Sequence, residues 1–239
     1  MKRFLLLIIL FTFFVSSCQK DPSTFPAKVQ FSFGMTSFES QSNLKFALSS
    51  NPPNSNNLLK IDDGTLVISK IDFEGRRQNV KDVFFTANFD PPIVIDLKEE
   101  TASRQVQFDI PQGVYERIEM VFYLGAPGYL PFSMTGQANH PAFGGRLLRF
   151  EYPYSEPVRV RAKGQTGSEV VLRKDVVSQA TLLVDAGFLF RLVNTGLLVS
   201  AETLNEGGRE VILIAREKNT PIFNVIANRL SQSFEVIFD

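Results

Sequence analysis

Few residues in this chain of 239 have the types and spacing that catalysis or metal binding requires. One His and one Cys are present, so the chain alone can build neither a Cys/His zinc site nor an intrachain disulfide. Ser-His or Cys-His catalysis would depend on His140, which lies in Asn139-His140-Pro141 without a recognisable partner motif. We interpret His140 as a solvated loop histidine; a general base or a lone metal ligand is the alternative.

Acidic residues offer two further kinds of site. Asp62-Asp63-Gly64 resembles a fragment of a calcium loop, but the spacing that ends in a bidentate Glu is missing, so we predict a turn between strands. Glu99-Glu100, and Glu116 with Glu119, could be carboxylate pairs for glycosidase chemistry. Strand alternation would direct Glu116 and Glu119 to opposite faces, which favours solvated carboxylates. We therefore predict no metal, no cofactor and no enzymatic activity.

Basic residues suggest a binding surface. Arg159, Arg161 and Lys163 alternate with apolar residues, so a strand would place all three on one face. A neighbouring strand that added Arg149 or Arg173 would complete a positive face for anionic polysaccharide or lipid headgroups. The alternative is an ordinary exposed sheet face with edge-protecting charges. Four tyrosines are predicted to be exposed, where they could stack on sugar rings: Tyr123, Tyr129, Tyr152 and Tyr154.

The overall composition limits the class of partner. Basic and acidic residues are balanced, with 25 of each, so the chain lacks the concentrated positive charge that nucleic-acid binding needs. An apolar share of 44% with 21% charged residues is typical of a globular protein rather than a disordered one. We predict no nucleic-acid partner.

The first eighteen residues predict the location of the protein. Met1-Lys2-Arg3 is followed by an apolar run from Phe4 to Val15, which is the pattern of a secretory signal and is too short to span a bilayer. The next residues, Val15-Ser16-Ser17-Cys18, resemble the bacterial lipobox, in which the signal is cut before a Cys that receives a diacylglyceryl group. An ordinary signal peptide or an uncut hydrophobic anchor is the alternative.

We therefore predict that Cys18 is lipidated, that residues 1–17 are the signal peptide and that residues 18–28 form a tether. One acyl chain binds a bilayer marginally, whereas two or more hold a protein stably. Gln19, which follows the Cys, favours the outer membrane of a bacterial cell envelope. The periplasmic and the surface-facing leaflet both remain open, as does the oligomeric state.

Period-two alternation of apolar residues predicts a mainly β body over residues 29–190. Short strands separated by turn residues, with no helical segments between them, are typical of an antiparallel β-sandwich of the Ig-like or transthyretin-like kind. The Gly- and Pro-rich stretch 125–145 predicts a long ordered loop. The predicted strands are 29–33, 43–48, 65–73, 93–97, 106–110, 118–124, 147–152, 158–162, 169–172 and 180–184.

Residues 191–239 predict a small C-terminal strand–helix element packed on the sandwich. The continuous apolar run 211–214 indicates a strand buried on both faces. Thr220-Pro221 is a helix start, and apolar residues then recur every four positions, which predicts an amphipathic helix over Pro221–Ser233.

One hairpin carries a family resemblance. Ile110-Pro111-Gln112-Gly113-Val114-Tyr115-Glu116-Arg117-Ile118 resembles the Pro-x-Gly-x-Tyr-x-x-Ile hairpin of an uncharacterised β-sandwich domain family of bacterial cell-envelope lipoproteins. Residues 64–73 and 93–97 resemble other strands of that family, so the resemblance covers roughly residues 29–190. Similar hairpins occur in transthyretin-like and fimbrial sandwiches. The resemblance implies no catalytic residues, because the family has no established activity.

The same hairpin also makes two physical predictions. Gly113 can adopt the positive φ that a tight turn needs. Tyr115 can bury its ring while its hydroxyl bonds to backbone at a corner.

Together these features predict a non-catalytic, lipid-anchored cell-envelope protein that binds a glycan or a protein partner. A structural or fimbria-like assembly subunit that pairs sheet edges is the first alternative. A glycan-active enzyme that uses an unrecognised carboxylate pair is the second.

Overall fold

The computed structural model describes residues 22–40, 58–167 and 169–239. Cys18, the signal segment 1–17, the start of the tether and the predicted strand 43–48 lie outside the described residues. In the three described ranges, none of the helices has the length and hydropathy needed to cross a bilayer.

The described ranges form one mixed β-sheet with a few short helices. The helices are α1 (Ala186–Phe190), α2 (Thr195–Val199) and α3 (Thr220–Ala227), with 3-10 turns at Pro22–Thr24 and Leu230–Gln232. The strands are β1 (Pro26–Thr36), β2 (Phe38–Ser40), β3 (Leu59–Arg77), β4 (Val83–Asp96), β5 (Thr101–Ala102), β6 (Val106–Pro111), β7 (Gly113–Leu124), β8 (Phe132–His140), β9 (Gly144–Tyr152), β10 (Pro157–Gly164), β11 (Val170–Leu172), β12 (Ser178–Asp185), β13 (Leu204–Glu206), β14 (Arg209–Ile214) and β15 (Phe234–Phe238).

Strand β3 connects the parts of the sheet. Its first half pairs with β8 and its second half with β7 along one edge, while β2 and β4 pair with the other edge. The main strand order is β13-β14-β9-β8-β3-β7-β10-β15-β12-β1-β6. Every neighbour of β3 is antiparallel to it, whereas β1 with β12, β9 with β14 and β10 with β15 are parallel pairs.

The C-terminal residues contribute to this sheet directly. β14 lies beside β9, and β15 lies between β10 and β12. The segment 191–239, predicted to pack on the body, therefore supplies three of its strands. The apolar run 211–214 is confirmed as a strand, with Val211, Ile212 and Ile214 buried.

Alternation along the strands produces one hydrophobic core, because every second residue faces inward. Ring contacts show that strands distant in the sheet order meet there. The centroids of Phe85 on β4 and Phe108 on β6 are 5.2 Å apart, and those of Phe132 on β8 and Phe234 on β15 are 6.2 Å apart.

Three local predictions were wrong. Only part of the stretch 125–145 is a loop, because Phe132–His140 and Gly144–Tyr152 form the β8–β9 hairpin; Gly136 lies inside β8, where a Cβ would collide with the backbone of Lys60. Asp62-Asp63-Gly64 is a bulge within β3 rather than a turn. The predicted helix Pro221–Ser233 ends at Ala227, and Phe234 belongs to β15.

The segment 110–118 is not a hairpin, because β6 pairs with β1 whereas β7 pairs with β3, β10 and β11. It is a corner between two sets of strands, and its two local predictions are confirmed. Gly113 has φ +148°, and Tyr115 is fully buried with its hydroxyl donating a hydrogen bond of 2.5 Å to the Pro111 carbonyl. Gly75 of β3 lies against the same ring, where a Cβ would be 2.5 Å from Tyr115 Cε1. Burial raises the pKa of Tyr115 to about 12, against a small opposing effect of Arg77.

The β6–β7 corner belongs to one end of the molecule, where several turns meet the start of β1. Register pairs Pro26 with Pro111, Arg77 with Tyr115 and Leu172 with Gly113. We call this end the N-terminal pole and define it as Gly75 and residues 22–26, 77–82, 111–115 and 171–177.

Candidate binding face

The structure does not bring the five predicted basic residues together. Arg159, Arg161 and Lys163 do share the exposed side of β10, as alternation predicted. Arg149 is on β9, and strands β8, β3 and β7 separate it from β10. Arg173 lies beyond β11, at the N-terminal pole.

Most of these basic groups are also neutralised by carboxylates. Both terminal nitrogens of the Arg149 guanidinium donate to Glu206 at 2.8 Å, and this bonding raises the pKa of Arg149. Lys163 donates to Glu235 at 2.9 Å, and Arg159 donates to Glu119. An unpaired positive face is therefore absent from the described part of β10, where Arg161 alone has no salt bridge.

Glu119 is the centre of a different arrangement. Its position on β7 leaves the residue 7% exposed, so its charge requires partners. Arg159 reaches it from β10, the adjacent strand, and Arg117 reaches it along β7. The hydrogen bonds from Arg159 and Arg117 outweigh desolvation and hold the pKa of Glu119 below its ordinary value.

A second polar cluster lies beside the first. Asp72 of β3 accepts hydrogen bonds from Thr86 of β4 at 2.7 Å and from the Tyr123 hydroxyl of β7 at 2.9 Å. Lys70 is 3.2 Å from the Asp72 carboxylate, and its ammonium lies 3.6 Å from the centre of the Tyr123 ring. Burial raises the pKa of Asp72, but the hydrogen bonds from Thr86, Tyr123 and Lys70 together lower it below its ordinary value.

The two clusters share one outward surface because β4, β3, β7 and β10 are consecutive neighbours. Register places Asp72 opposite both Thr86 and Val121, and Val121 opposite Arg159. These side chains line a depression of about 460 Å³, within the size range of ligand sites. We call this surface the charged face; its members are Lys70, Asp72, Glu74, Phe84, Thr86, Glu119, Tyr123 and Arg159.

Phe84 is the unusual member of the charged face. It is 64% exposed, the largest exposure among the large hydrophobic residues that the structure describes. It projects from β4 on the same side as Thr86 and lines the depression. An exposed ring beside fixed donors and acceptors can bind an apolar surface while the polar groups orient the ligand.

Two acidic residues of the charged face lie directly opposite each other. Glu74 of β3 pairs in register with Glu119 of β7, and Arg76 donates to Glu74 at 3.2 Å. Sequence spacing could not reveal this pair, since it is formed by register between strands. The lowered pKa of Glu119 is the opposite of the raised pKa that a general acid needs.

The remaining candidates lie elsewhere. His140 is half-buried at the end of β8, where its Nδ1 accepts a hydrogen bond of 3.1 Å from the Ala142 amide. Tyr152 is buried, and its hydroxyl donates to Glu156, so the prediction that it is exposed was wrong. Tyr129 is 44% exposed. Among the described residues, no group of three His, Cys, Asp or Glu side chains is arranged to hold a metal ion.

Comparison of the chain with protein-family models, with curated proteins and with solved structures gives no match. The charged face is therefore interpreted from its own geometry.

Proposed function

We propose that this chain is a lipid-anchored protein of the bacterial cell envelope that binds a glycan on the charged face without catalysing a reaction. The exposed Phe84 ring, placed beside the ordered polar groups of Asp72, Thr86, Glu119 and Arg159, carries this proposal.

The chemistry of the charged face suits a sugar. A pyranose ring presents an apolar face that stacks on an aromatic ring and hydroxyls that bond to carboxylates and guanidinium groups. Asp72 and Glu119 offer ionised acceptors, since the pKa of each lies below its ordinary value, and Arg159 offers donors. The charged face has three carboxylates, on Asp72, Glu74 and Glu119, against the two cations Lys70 and Arg159, so the expected ligand is a neutral glycan rather than a polyanion.

The sequence of the first eighteen residues supports the anchor. Its lipobox-like ending places the only Cys of the chain, Cys18, where lipid attachment needs it. Mass spectrometry of protein from a membrane fraction should find lipid on the Cys18 sulfur, and Cys18→Ser should release the protein from that fraction. A free thiol on membrane-derived protein would contradict the anchor.

We also infer that the sheet folds over its core as a sandwich, in the manner of the envelope-lipoprotein domain that the segment 110–118 resembles. The contacts of Phe85 with Phe108 and of Phe132 with Phe234 support two facing layers. The Tyr115 corner supports the same architecture.

Glycan binding is tested by removing the Phe84 ring. Phe84→Ala should weaken binding by about tenfold, since a stacked ring contributes roughly 1.5 kcal/mol. A glycan array identifies the ligand, and calorimetry then measures its affinity for the wild-type and variant full chain. The affinity should depend only weakly on salt, because the expected ligand is neutral.

Leu192→Ala is the matched control. Leu192 is 54% exposed and lies outside the depression, so its truncation removes an exposed apolar side chain without touching the charged face. Unchanged affinity for Phe84→Ala, or equal loss for Leu192→Ala, would contradict the proposed site.

An assembly subunit is the second candidate, and one observation favours it. In the described part of the chain, residues 83–88 of β4 pair with a strand on one edge only. Residues 83–89 are uncharged and rich in aromatic residues, which is typical of an edge that can accept another strand. Oligomers that grow with concentration in analytical ultracentrifugation would support this function, and a monomer at all concentrations would contradict it.

A further inference from the structure

The N-terminal pole has an unusual share of exposed apolar residues. Ten large hydrophobic residues of the described chain are exposed, and four of them lie at this one end. Single exposed hydrophobic residues are normal, but a group of them marks an interaction surface. The four are Val80 at 38% exposure, Val171 at 49%, Val176 at 54% and Val177 at 50%.

Basic residues surround these valines. The two segments that hold them, residues 77–82 and 171–177, contain Arg77, Lys81, Arg173 and Lys174 against Asp82 and Asp175. In the described residues, none of the four basic groups forms a salt bridge with a carboxylate. The pole is therefore positive, whereas the chain as a whole is neutral.

Contacts tie these turns to the start of the described chain. Arg77 donates to the carbonyls of Ser23 at 2.7 Å and Gln112 at 3.1 Å, and twice to the carbonyl of Lys81. The Lys174 ammonium is 5.0 Å from the centre of the Phe25 ring. The position of the chain near residue 23 is thereby fixed relative to the valines.

The length of chain before this point limits the distance to the lipid. Three residues, Gln19 to Asp21, separate Cys18 from Pro22. Backbone spans at most about 3.6 Å per residue, so a lipid on Cys18 holds Pro22 within roughly 15 Å of the membrane surface. The pole is the end of the body that such a tether brings closest to the bilayer.

We propose that the N-terminal pole rests on the anionic phospholipid surface of the bilayer that holds Cys18; this rests on the lipid anchor of the proposed function. The exposed valines enter the boundary between headgroups and acyl chains, and Arg173, Lys174 and Lys81 bind lipid phosphates. Each basic residue near an anionic surface adds about 1 kcal/mol to this attraction. The strands of the charged face then run away from the membrane.

The test uses single-cysteine labels on the full lipidated chain. The native sulfur of Cys18 is blocked by lipid, so Val176→Cys provides the one thiol for an environment-sensitive fluorophore. On vesicles that contain phosphatidylglycerol, its emission should shift to the blue, and a quencher attached to lipid should reduce it. The shift should be lost on phosphatidylcholine vesicles and in the additional variant Arg173→Glu, Lys174→Glu.

Leu192→Cys is the matched control, because it is equally exposed but lies beyond the far end of β12. Its label should show neither effect. Equal emission from both positions on anchored protein would overturn the contact while the lipid anchor stands. A blue shift without lipid quenching would also overturn it, since a protein partner would then cover the valines.

The parent chain without an introduced cysteine tests the lipid anchor independently of the membrane contact. If the parent accepts the label, Cys18 is free and the proposed anchor itself fails. A parent that stays unlabelled and floats with the vesicles supports the anchor whatever the labels at the pole report. An equal shift on neutral and anionic vesicles would overturn the role of the basic residues.

Discussion

The charged face and the N-terminal pole use arginine in opposite ways. On the charged face, the guanidinium groups of Arg117 and Arg159 bind the carboxylate of Glu119. At the pole, Arg77 binds three backbone carbonyls, and no acidic side chain among the described residues forms a salt bridge with it. The first arrangement fixes a carboxylate between two guanidinium groups, whereas the second fixes turns and leaves a positive surface.

The difference shows that the residue types alone do not define a binding surface. The sequence contains similar basic residues in both regions, and strand register decides which of them meet carboxylates. The stabilities of the two regions also respond to pH in opposite ways. The charged face depends on an ionised glutamate, and the pole depends on a protonated tyrosine.

The largest expected effect on stability is at the N-terminal pole. Gly75→Ala should lower the free energy of unfolding by about 3 kcal/mol, because overpacking is costly where neighbours cannot move. The added Cβ would be 2.5 Å from the Tyr115 ring and 2.8 Å from Phe73. Chemical denaturation measures the loss. Gly34→Ala in β1 is the control: its Cβ would make ordinary contacts, and a stability near that of the wild type is expected.

The next effect separates the two regions at high pH. The folded state holds the Tyr115 proton up to about pH 12, whereas an unfolded tyrosine loses it near 10, so stability is complete below pH 10 and falls as the pH rises to 12. Tyr115→Phe should reduce this alkaline loss by about 2 kcal/mol, and it should also lower stability at pH 7 by about 1 kcal/mol through the lost hydrogen bond. Denaturation series at several pH values measure both.

Tyr129→Phe is the matched control for this change, because it also removes one tyrosine hydroxyl, but from an exposed position outside the corner. If the wild type and Tyr115→Phe lose the same stability at high pH, the proton of the corner tyrosine does not stabilise the pole.

The smallest effect concerns the charged face at low pH. The pKa of Glu119 is lowered in the folded state, so its contribution is present above the ordinary value of 4.5 and is lost as the pH falls through the folded pKa. Glu119→Gln should cost about 1 kcal/mol at pH 7, a modest value because both arginines keep solvent contact. Its stability should then depend less on pH below 4.5 than that of the wild type.

Glu116→Gln provides the comparison, since Glu116 is exposed on the same strand. If the two variants have the same acid unfolding curve, the pairing of Glu119 with Arg117 and Arg159 does not stabilise the charged face.

Alternation predicted the strands that have one buried side, such as Val106–Pro111 and Pro157–Gly164, because period two is a local property. It missed the first half of β4 and all of β8. Pro91-Pro92 and the Gly-rich start of β9 resemble loop sequence, yet β3 pairs with β4 on both sides of the prolines, and β8 pairs with the start of β9. Tyr115 was predictable because its hydroxyl bonds to Pro111 only four residues earlier, so the corner forms within one short segment of the chain.

The charged face was beyond prediction for a physical reason. Phe84, Asp72 and Glu119 come from three strands, and their proximity depends on pairings between distant parts of the chain. Arg149 was predicted to lie near Arg159 because the sequence does not reveal the strand order. Four successive strand pairings, from β9 through β8, β3 and β7 to β10, separate the two residues.

The position of β15 affects the order in which the molecule can assemble. A ribosome makes Phe234–Phe238 after every other strand described, yet this segment bridges β10 and β12. The sheet therefore remains in two parts until synthesis reaches these residues. Delayed closure of this kind would help the chain to stay unfolded in a translocation channel, as the proposed envelope location requires.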